Sequence, residues 1–302
     1  MTEIRSCVLI LLLTLLLQAC TTARTQQRHF NQALTQLEQS TDADSLAAAA
    51  VLSRFTQPRP HEDAVHALLV RAVAAAPQRA DLAWLSIGVC RDVPACDPEP
   101  EVDRLRALDP SNGAGWLNAV ARANAADDEA AKIAALSQLA RAERVDVYWT
   151  TLIVHLTRAL VATHEVPLKQ ALVDVIGTVD PQALPNYMPT LSLCKGERLN
   201  NDEVLQDCRR VALAFERGDT FITEMIGLAI ARRAWPADSP EWKAAEEETR
   251  VARYRMRTGS TFALGARWAR QYLSLCEQNR REQDVHLAEI IRAGKSPDPP
   301  PE

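Results

Sequence analysis

The chain of 302 residues is poor in aromatic residues and glycine, and its charge is not basic. Aromatics make up 5% of it, glycine accounts for 10 residues, and the net charge is −5. Alanine and leucine are abundant and β-branched runs are short, which favours helix over strand. Proteins that bind nucleic acid usually carry a basic patch. The composition therefore predicts a helical protein that does not bind nucleic acid.

The sequence also lacks the short motifs of common catalytic and metal sites. It contains no G-x-S-x-G nucleophile elbow and no C-x-x-C pair. Gly294-Lys295-Ser296 is similar to the end of a phosphate-binding loop, but Glu289 stands where the first glycine belongs. His61 and His66 are five positions apart, whereas two ligands on one helix face need a spacing of four. We predict no catalytic residue, no metal site and no cofactor.

Tryptophan and proline recur with a period close to that of stacked helical pairs. Trp84, Trp116 and Trp149 are 32 and 33 positions apart, and Pro77 and Pro110 are 33 apart. The opening Trp84-Leu85-Ser86-Ile87-Gly88 fits the W-x-x-L-G start of a tetratricopeptide repeat, with isoleucine for leucine. The chain thus resembles a degenerate tetratricopeptide array. The resemblance implies an all-α, right-handed solenoid of helical hairpins, with less regular C-terminal helices packed on it.

The repeat period, together with an apolar N-terminal run that ends in the lipobox-like Leu17-Gln18-Ala19-Cys20, predicts five segments. They are a signal peptide (1–19), a lipidated tether (20–28), the repeats (29–193), a C-terminal helical region (194–292) and a disordered tail (293–302).

Tetratricopeptide arrays typically bind a peptide in a concave groove formed by the first helix of each pair. The resemblance implies the following groove residues: Leu85, Asp92, Leu117, Ala121, Asn124, Thr150, Val154 and Thr157. This face is more apolar than that of an open groove. Two arrangements fit it, an open groove or a groove covered by the C-terminal helices.

The N-terminus resembles that of a bacterial lipoprotein. An apolar run from Cys7 to Leu17 has the length of a signal-peptide core but is too short to span a membrane. It leads into Leu17-Gln18-Ala19-Cys20, which is similar to a lipobox. The resemblance implies cleavage before Cys20, acyl chains on Cys20, and residence at the outer membrane because Thr21 is not aspartate. The alternative is an ordinary secretory signal followed by a coincidental cysteine.

Lipoprotein export implies an oxidising periplasm, in which cysteines can pair. We expect one disulfide between Cys90 and Cys96 and another between Cys194 and Cys208. Cys276 is left over and is expected to be a small core residue.

Four further sites carry local predictions. Asp180-Pro181 is expected to end a helix, because proline disfavours helix at the residue before it. Asp219 is a candidate N-cap, and Gly227 is expected to allow close helix packing. His155 is interpreted as a core histidine. The acidic and basic run from Glu246 to Arg257 fits a solvated helix face better than an anion site.

The leading functional hypothesis is a non-catalytic scaffold, lipid-anchored at the outer membrane and facing the periplasm, whose partner is an envelope protein or peptide. One alternative is an envelope hydrolase on a helical fold. Another is a small-molecule or lipid-binding protein with an apolar cavity beneath Trp149 and Leu156.

Overall fold

A computed structural model describes residues 25–54, 56, 61–91, 93, 96–259 and 265–300. Cys20, Asp92 and the segment predicted to be a signal peptide lie outside these residues.

The described residues form fifteen α-helices and no strand, which confirms the predicted all-α class. The helices are α1 (25–38), α2 (Ala43–Ser53), α3 (Glu62–Ala75), α4 (Ala80–Cys90), α5 (Glu99–Leu108), α6 (Ala114–Ala125), α7 (Glu129–Leu139), α8 (Trp149–Ala162), α9 (Leu168–Ala183), α10 (Met188–Leu193), α11 (Asp202–Glu216), α12 (Phe221–Ala234), α13 (Pro240–Gly259), α14 (Ala266–Gln278) and α15 (Glu282–Arg292). A 3₁₀ turn covers Gly196–Asn200.

Helices α2 to α7 form a sequential stack in which each helix packs on the next. Local caps start several of them: the Asp42 carboxylate accepts from the Ser45 N–H at 2.9 Å, and Asp128 accepts from the Ala131 N–H at 3.0 Å. Such caps satisfy backbone donors that a helix start leaves unpaired. Trp84 is buried between neighbouring helices. This half of the molecule has a helical repeat-like architecture.

Helix α8 leaves the stack and closes the fold. It packs on α9, α2 and α14, and α9 reaches back to α2 and α4. The stack continues instead from α7 to α11, and then through α12, α13 and α15 to α14. Since α14 packs on both α8 and α9, the packing contacts form a closed circuit. The α8–α9 pair therefore connects α2, at the start of this series of helices, to α14, at its end.

A buried polar cluster, which we call the junction, fixes the start of α8. Asp219, 1% exposed, accepts from the Val147 and Trp149 N–H groups, both at 2.8 Å. The sequence predicts Asp219 as a cap for the helix that follows it, but Thr220 caps α12. That prediction was wrong about which helix Asp219 caps, because the carboxylate turns toward a segment 70 residues away.

The rest of the junction links the loops before α6 and α8 to the loop before α15. Arg144 donates to both carboxylate oxygens of Asp109 at 2.8 Å and to Asp146 at 2.6 Å. Arg280, from the loop before α15, also pairs with Asp146. Tyr148 donates to Asp109 at 2.8 Å while its own backbone is left-handed, with φ of 60°. Three distant chain segments are therefore held together by charge-assisted hydrogen bonds.

Two local predictions were wrong and one is confirmed. Helix α9 continues through Pro181 to Ala183, so Asp180-Pro181 does not end it. Residues 293–300 are not disordered but lie along α13. At Gly227, an added Cβ would come within 2.6 Å of the Ala212 carbonyl oxygen, so the expected close packing is present.

Candidate functional site

The residues predicted to line a concave groove are mostly inside the protein. Five of them are buried (Leu85, Leu117, Thr150, Val154 and Thr157), Ala121 is half-buried and Asn124 is exposed. Helix α9 packs on α4, which carries Leu85. Helices α2 and α14 pack on α8, which carries Thr150, Val154 and Thr157. Most of this face is therefore covered, by α9 at α4 and by α2 and α14 at α8. Of the groove residues that the structure describes, only Ala121 and Asn124 on α6 remain accessible.

The cysteine pairs predicted from the sequence are at disulfide distance. The Cys90 and Cys96 sulfurs are 2.11 Å apart, and those of Cys194 and Cys208 are 1.99 Å apart. Cys276 is a buried thiol, and burial raises its pKa. A protonated, buried thiol is a poor nucleophile.

His155 is half-exposed rather than a core residue. Its Nδ1 lies 2.7 Å from the Asp44 carboxylate, and Arg79 donates to the same carboxylate at 2.8 Å. Burial raises the pKa of Asp44, but these two hydrogen bonds prevail and lower it. The sequence could not reveal this pair because Asp44 lies 111 positions away on α2. An Asp–His pair is half of a nucleophile-activating arrangement. Among the described residues, however, no hydroxyl or thiol hydrogen-bonds to His155.

Three carboxylic acids lie close together where α11, α12 and α13 meet. Burial, together with the charges of Glu224 and Glu248, raises the pKa of Glu216 to about 7. Burial also raises the pKa of Glu224. A carboxylic acid with such a pKa can exchange protons near neutral pH. The described residues contain no group of histidine, cysteine and acidic side chains suited to hold a metal ion.

A different set of charges lines a cavity of about 660 Å³ between α12 and α13. We call it the basic groove. Its lining residues are Arg232, Lys243, Glu246, Glu247, Thr249, Arg250, Arg253 and Arg257. Among the α13 members, charged residues recur every three or four positions, which places them on one side of the helix: Lys243, Glu247, Arg250, Arg253 and Arg257. Thr249 and Ala245 are buried beneath them.

The basic groove carries a net positive charge, whereas the chain as a whole is negatively charged. It presents five cationic side chains against two acidic ones, in a protein whose net charge is −5. Glu247 is neutralised by Arg250, which donates to its two oxygens at 2.8 and 2.7 Å and lowers its pKa. Within the described part of the chain, Arg232, Lys243 and Arg253 form no ion pair with a carboxylate. These three cations are therefore available to an anionic ligand.

The sequence analysis weighed the run from Glu246 to Arg257 and preferred a solvated surface. It missed Lys243, and it missed Arg232, whose place depends on the packing of α12 against α13. The available signal was the spacing of Lys243, Arg250, Arg253 and Arg257 on one helix face, which is visible in the sequence. The packing of a second helix, which turns this face into a groove, is not visible in the sequence.

Comparison with protein-family models, curated proteins and solved structures found no match to the chain. Among residues 25–300 that are described, no helix has both the length and the apolar character needed to cross a membrane. The cavity described above is lined by charges and lies away from Trp149 and Leu156, which are buried in the core.

Proposed function

We propose that the chain is a lipid-anchored, non-catalytic interaction protein of the bacterial envelope that binds an acidic protein or peptide through the basic groove. The lipobox-like Leu17-Gln18-Ala19-Cys20 supports the anchor, which would hold the protein at the outer membrane, facing the periplasm. Acyl chains on Cys20 would make membrane binding stable without a spanning helix.

The observation that carries the proposal is the charge of the basic groove. Cationic side chains from two helices converge on one cavity, and three of them pair with no carboxylate of the described residues. Like charges held together destabilise a protein surface unless a ligand neutralises them. Arginine also suits carboxylates, because its planar fork donates two parallel hydrogen bonds.

Site-specific crosslinking in cells tests the binding face. A photoreactive amino acid replaces Lys243 or Arg253 in the groove, and Arg267 on α14 serves as an exposed control position. We expect the two groove positions to capture the same envelope protein and Arg267 to capture none of it. Capture of that protein equally from all three positions would contradict the proposal.

Charge reversal provides the matched second test. Arg250→Glu combined with Arg253→Glu should abolish the crosslink from position 243 and leave the unfolding midpoint nearly unchanged. The control pair Arg267→Glu and Arg270→Glu makes the same charge change on α14 and should preserve the crosslink. For the anchor, Cys20→Ala should release the protein from the membrane fraction.

A hydrolase is the second candidate, and the Asp44–His155 pair is the observation in its favour. If it is catalytic, His155→Ala should eliminate turnover of the substrate without changing capture at Lys243. If the protein is a scaffold, His155→Ala should leave the cellular function intact, and the Arg250→Glu/Arg253→Glu variant should lose it.

A further inference from the structure

The turn that follows α15 directs the last described residues along α13. Helix α15 ends at Arg292, and Gly294 follows with a left-handed φ of 70°. The Gly294 N–H donates to the Ile291 carbonyl at 3.0 Å, and the Lys295 N–H donates to the Ile290 carbonyl at 3.1 Å. This glycine-centred turn reverses the chain at a helix end. Because α15 packs on α13, the reversed chain runs along α13.

Helix α13 donates four hydrogen bonds to residues 296–300, which we call the tail segment. They run from Tyr254 Oη to the Ser296 carbonyl (3.3 Å), from Arg255 Nε to the Pro297 carbonyl (3.1 Å), from Arg255 Nη2 to the Asp298 carboxylate (3.3 Å) and from Arg250 Nη1 to the Pro300 carbonyl (3.1 Å). The helix therefore recognises the backbone of this segment more than its side chains.

The composition and conformation of the tail segment suit recognition through its backbone carbonyls. Three of its five residues, Pro297, Pro299 and Pro300, have no N–H, so the backbone mainly offers acceptors. Ser296 fixes the bend: its hydroxyl donates to the Asp298 carbonyl at 2.8 Å and accepts from the Asp298 N–H at 3.2 Å. Proline-rich chains lose little entropy on binding, because their backbone is already restricted.

We propose that Arg250, Tyr254 and Arg255 form a docking strip for a proline-rich segment of a partner protein, and that the tail segment occupies this strip within the same chain. The required partner segment presents successive backbone carbonyls and one carboxylate, as the tail segment does. Such aromatic and basic surfaces are a recurring means of binding proline-rich chains. The docking strip adjoins the basic groove and shares Arg250 with it, but the proposal does not depend on a groove ligand.

An occupant held in the same chain lowers the apparent affinity for a competing segment, because only the vacant fraction of the docking strip can bind. Gly294→Val disfavours the left-handed turn that aims the tail segment, and it changes no residue of α13. The probe is a fluorescein-labelled synthetic peptide with the sequence of residues 295–302, and its binding to the full-length protein is followed by anisotropy. We expect about tenfold tighter binding to Gly294→Val than to the unmodified chain.

Arg255→Gln and Arg253→Gln form a matched pair, two residues apart on one helix. Arg255 donates to the tail segment, whereas Arg253 lines the basic groove and, among the described residues, its side chain donates no hydrogen bond to the tail segment. In the Gly294→Val background, Arg255→Gln should weaken peptide binding at least fivefold, and Arg253→Gln should change it little. Equal losses would place the peptide in the basic groove and overturn the docking strip. Unchanged peptide binding after Gly294→Val would overturn occupation by the tail segment.

A measurement in the single variants guards against misfolding of Gly294→Val. Nuclear magnetic relaxation of the Asp298 amide reports whether the tail segment is held. Arg255→Gln should make this amide mobile, and Arg253→Gln should leave it rigid. A rigid Asp298 amide in the Arg255→Gln variant would contradict the proposal whatever the peptide does.

Discussion

The α2–α7 stack and the junction hold the molecule together by different physics. In the stack, each helix buries apolar side chains against its neighbours, and caps such as Asp128 bond to residues three positions away. In the junction, Asp219 and Asp146 bond to groups 70 and 134 residues away, and both carboxylates are buried.

Because of this contrast, we expect substitutions in the two regions to change the stability of the protein by different amounts. A surface cap that is lost can be replaced by water, so its removal costs little. A buried carboxylate that is lost leaves N–H groups with no partner, and the full desolvation cost of those groups appears. We therefore expect the junction to be the most sensitive part of the protein.

The largest expected effect comes from Asp219→Ala, compared with Asp128→Ala. Both aspartates cap a helix N-terminus. Loss of Asp219 leaves the Val147 and Trp149 N–H groups unpaired inside the protein, at a cost of about 4 kcal/mol. Loss of the exposed cap at Asp128 costs about 1 kcal/mol. Urea unfolding followed by circular dichroism measures both, and equal losses would remove the distinction between the two regions.

The disulfides compare a short loop in the α2–α7 stack with a longer one between α10 and α11. Replacing Cys194 and Cys208 by alanine opens a loop whose ends are 14 positions apart, at a cost of about 3 kcal/mol in the chain-entropy model. Replacing Cys90 and Cys96 opens a loop whose ends are 6 positions apart and costs about 2 kcal/mol. Urea midpoints of the two double variants give the order. Detection of Cys90 as a thiol by mass spectrometry of unreduced peptides would exclude the shorter loop.

A pair of glycines compares a tightly packed helix position with an open one. Gly227→Ala pushes a methyl group against the Ala212 carbonyl and the Glu216 N–H, both 2.6 Å away, and should cost about 2 kcal/mol. Gly177 lies inside α9 with nothing within 4 Å of an added Cβ. Gly177→Ala should stabilise by up to ~1 kcal/mol, because alanine is the better helix former. Thermal unfolding distinguishes the opposite signs.

A last prediction concerns the pH dependence that Glu216 contributes to stability. Its pKa is raised to about 7 by burial and by the neighbouring Glu224 and Glu248. The folded state therefore binds a proton that the unfolded state releases between pH ~4.5 and ~7. The resulting stability is fully present below this window and is lost as the pH rises through it.

Glu216→Gln removes this contribution, so its urea midpoint should fall less between pH 5 and 8 than that of the unmodified chain. Glu241→Gln, at an exposed position on α13, serves as the control and should leave the slope unchanged. An unaltered slope in Glu216→Gln would show that the group titrates normally.

The sequence predicts what depends on local spacing. The period of Trp84, Trp116 and Trp149 and the residues around Gly227 indicate helices, their pairing and one close contact, and all of these are present. The cysteine spacing likewise indicates pairs that the structure places at disulfide distance.

The sequence does not predict which helices pack together when they lie far apart in the chain. Nothing local to Asp219 indicates that its carboxylate caps α8, and nothing near His155 indicates Asp44. The basic groove was partly visible as cations on one face of α13, but its second wall, at Arg232, exists only once α12 packs there.

Closure of the helix circuit also restricts where a hairpin can be added or removed. An open array of repeats can gain or lose a hairpin at one end, because each unit contacts only its neighbours. Here α8 and α9 meet α2 on one side and α14 on the other. Insertion or deletion of one hairpin between α2 and α7 would displace these surfaces relative to each other by a whole unit. Duplication of one hairpin in the stack is therefore expected to break the packing of α8 and α9 on α2 and α14.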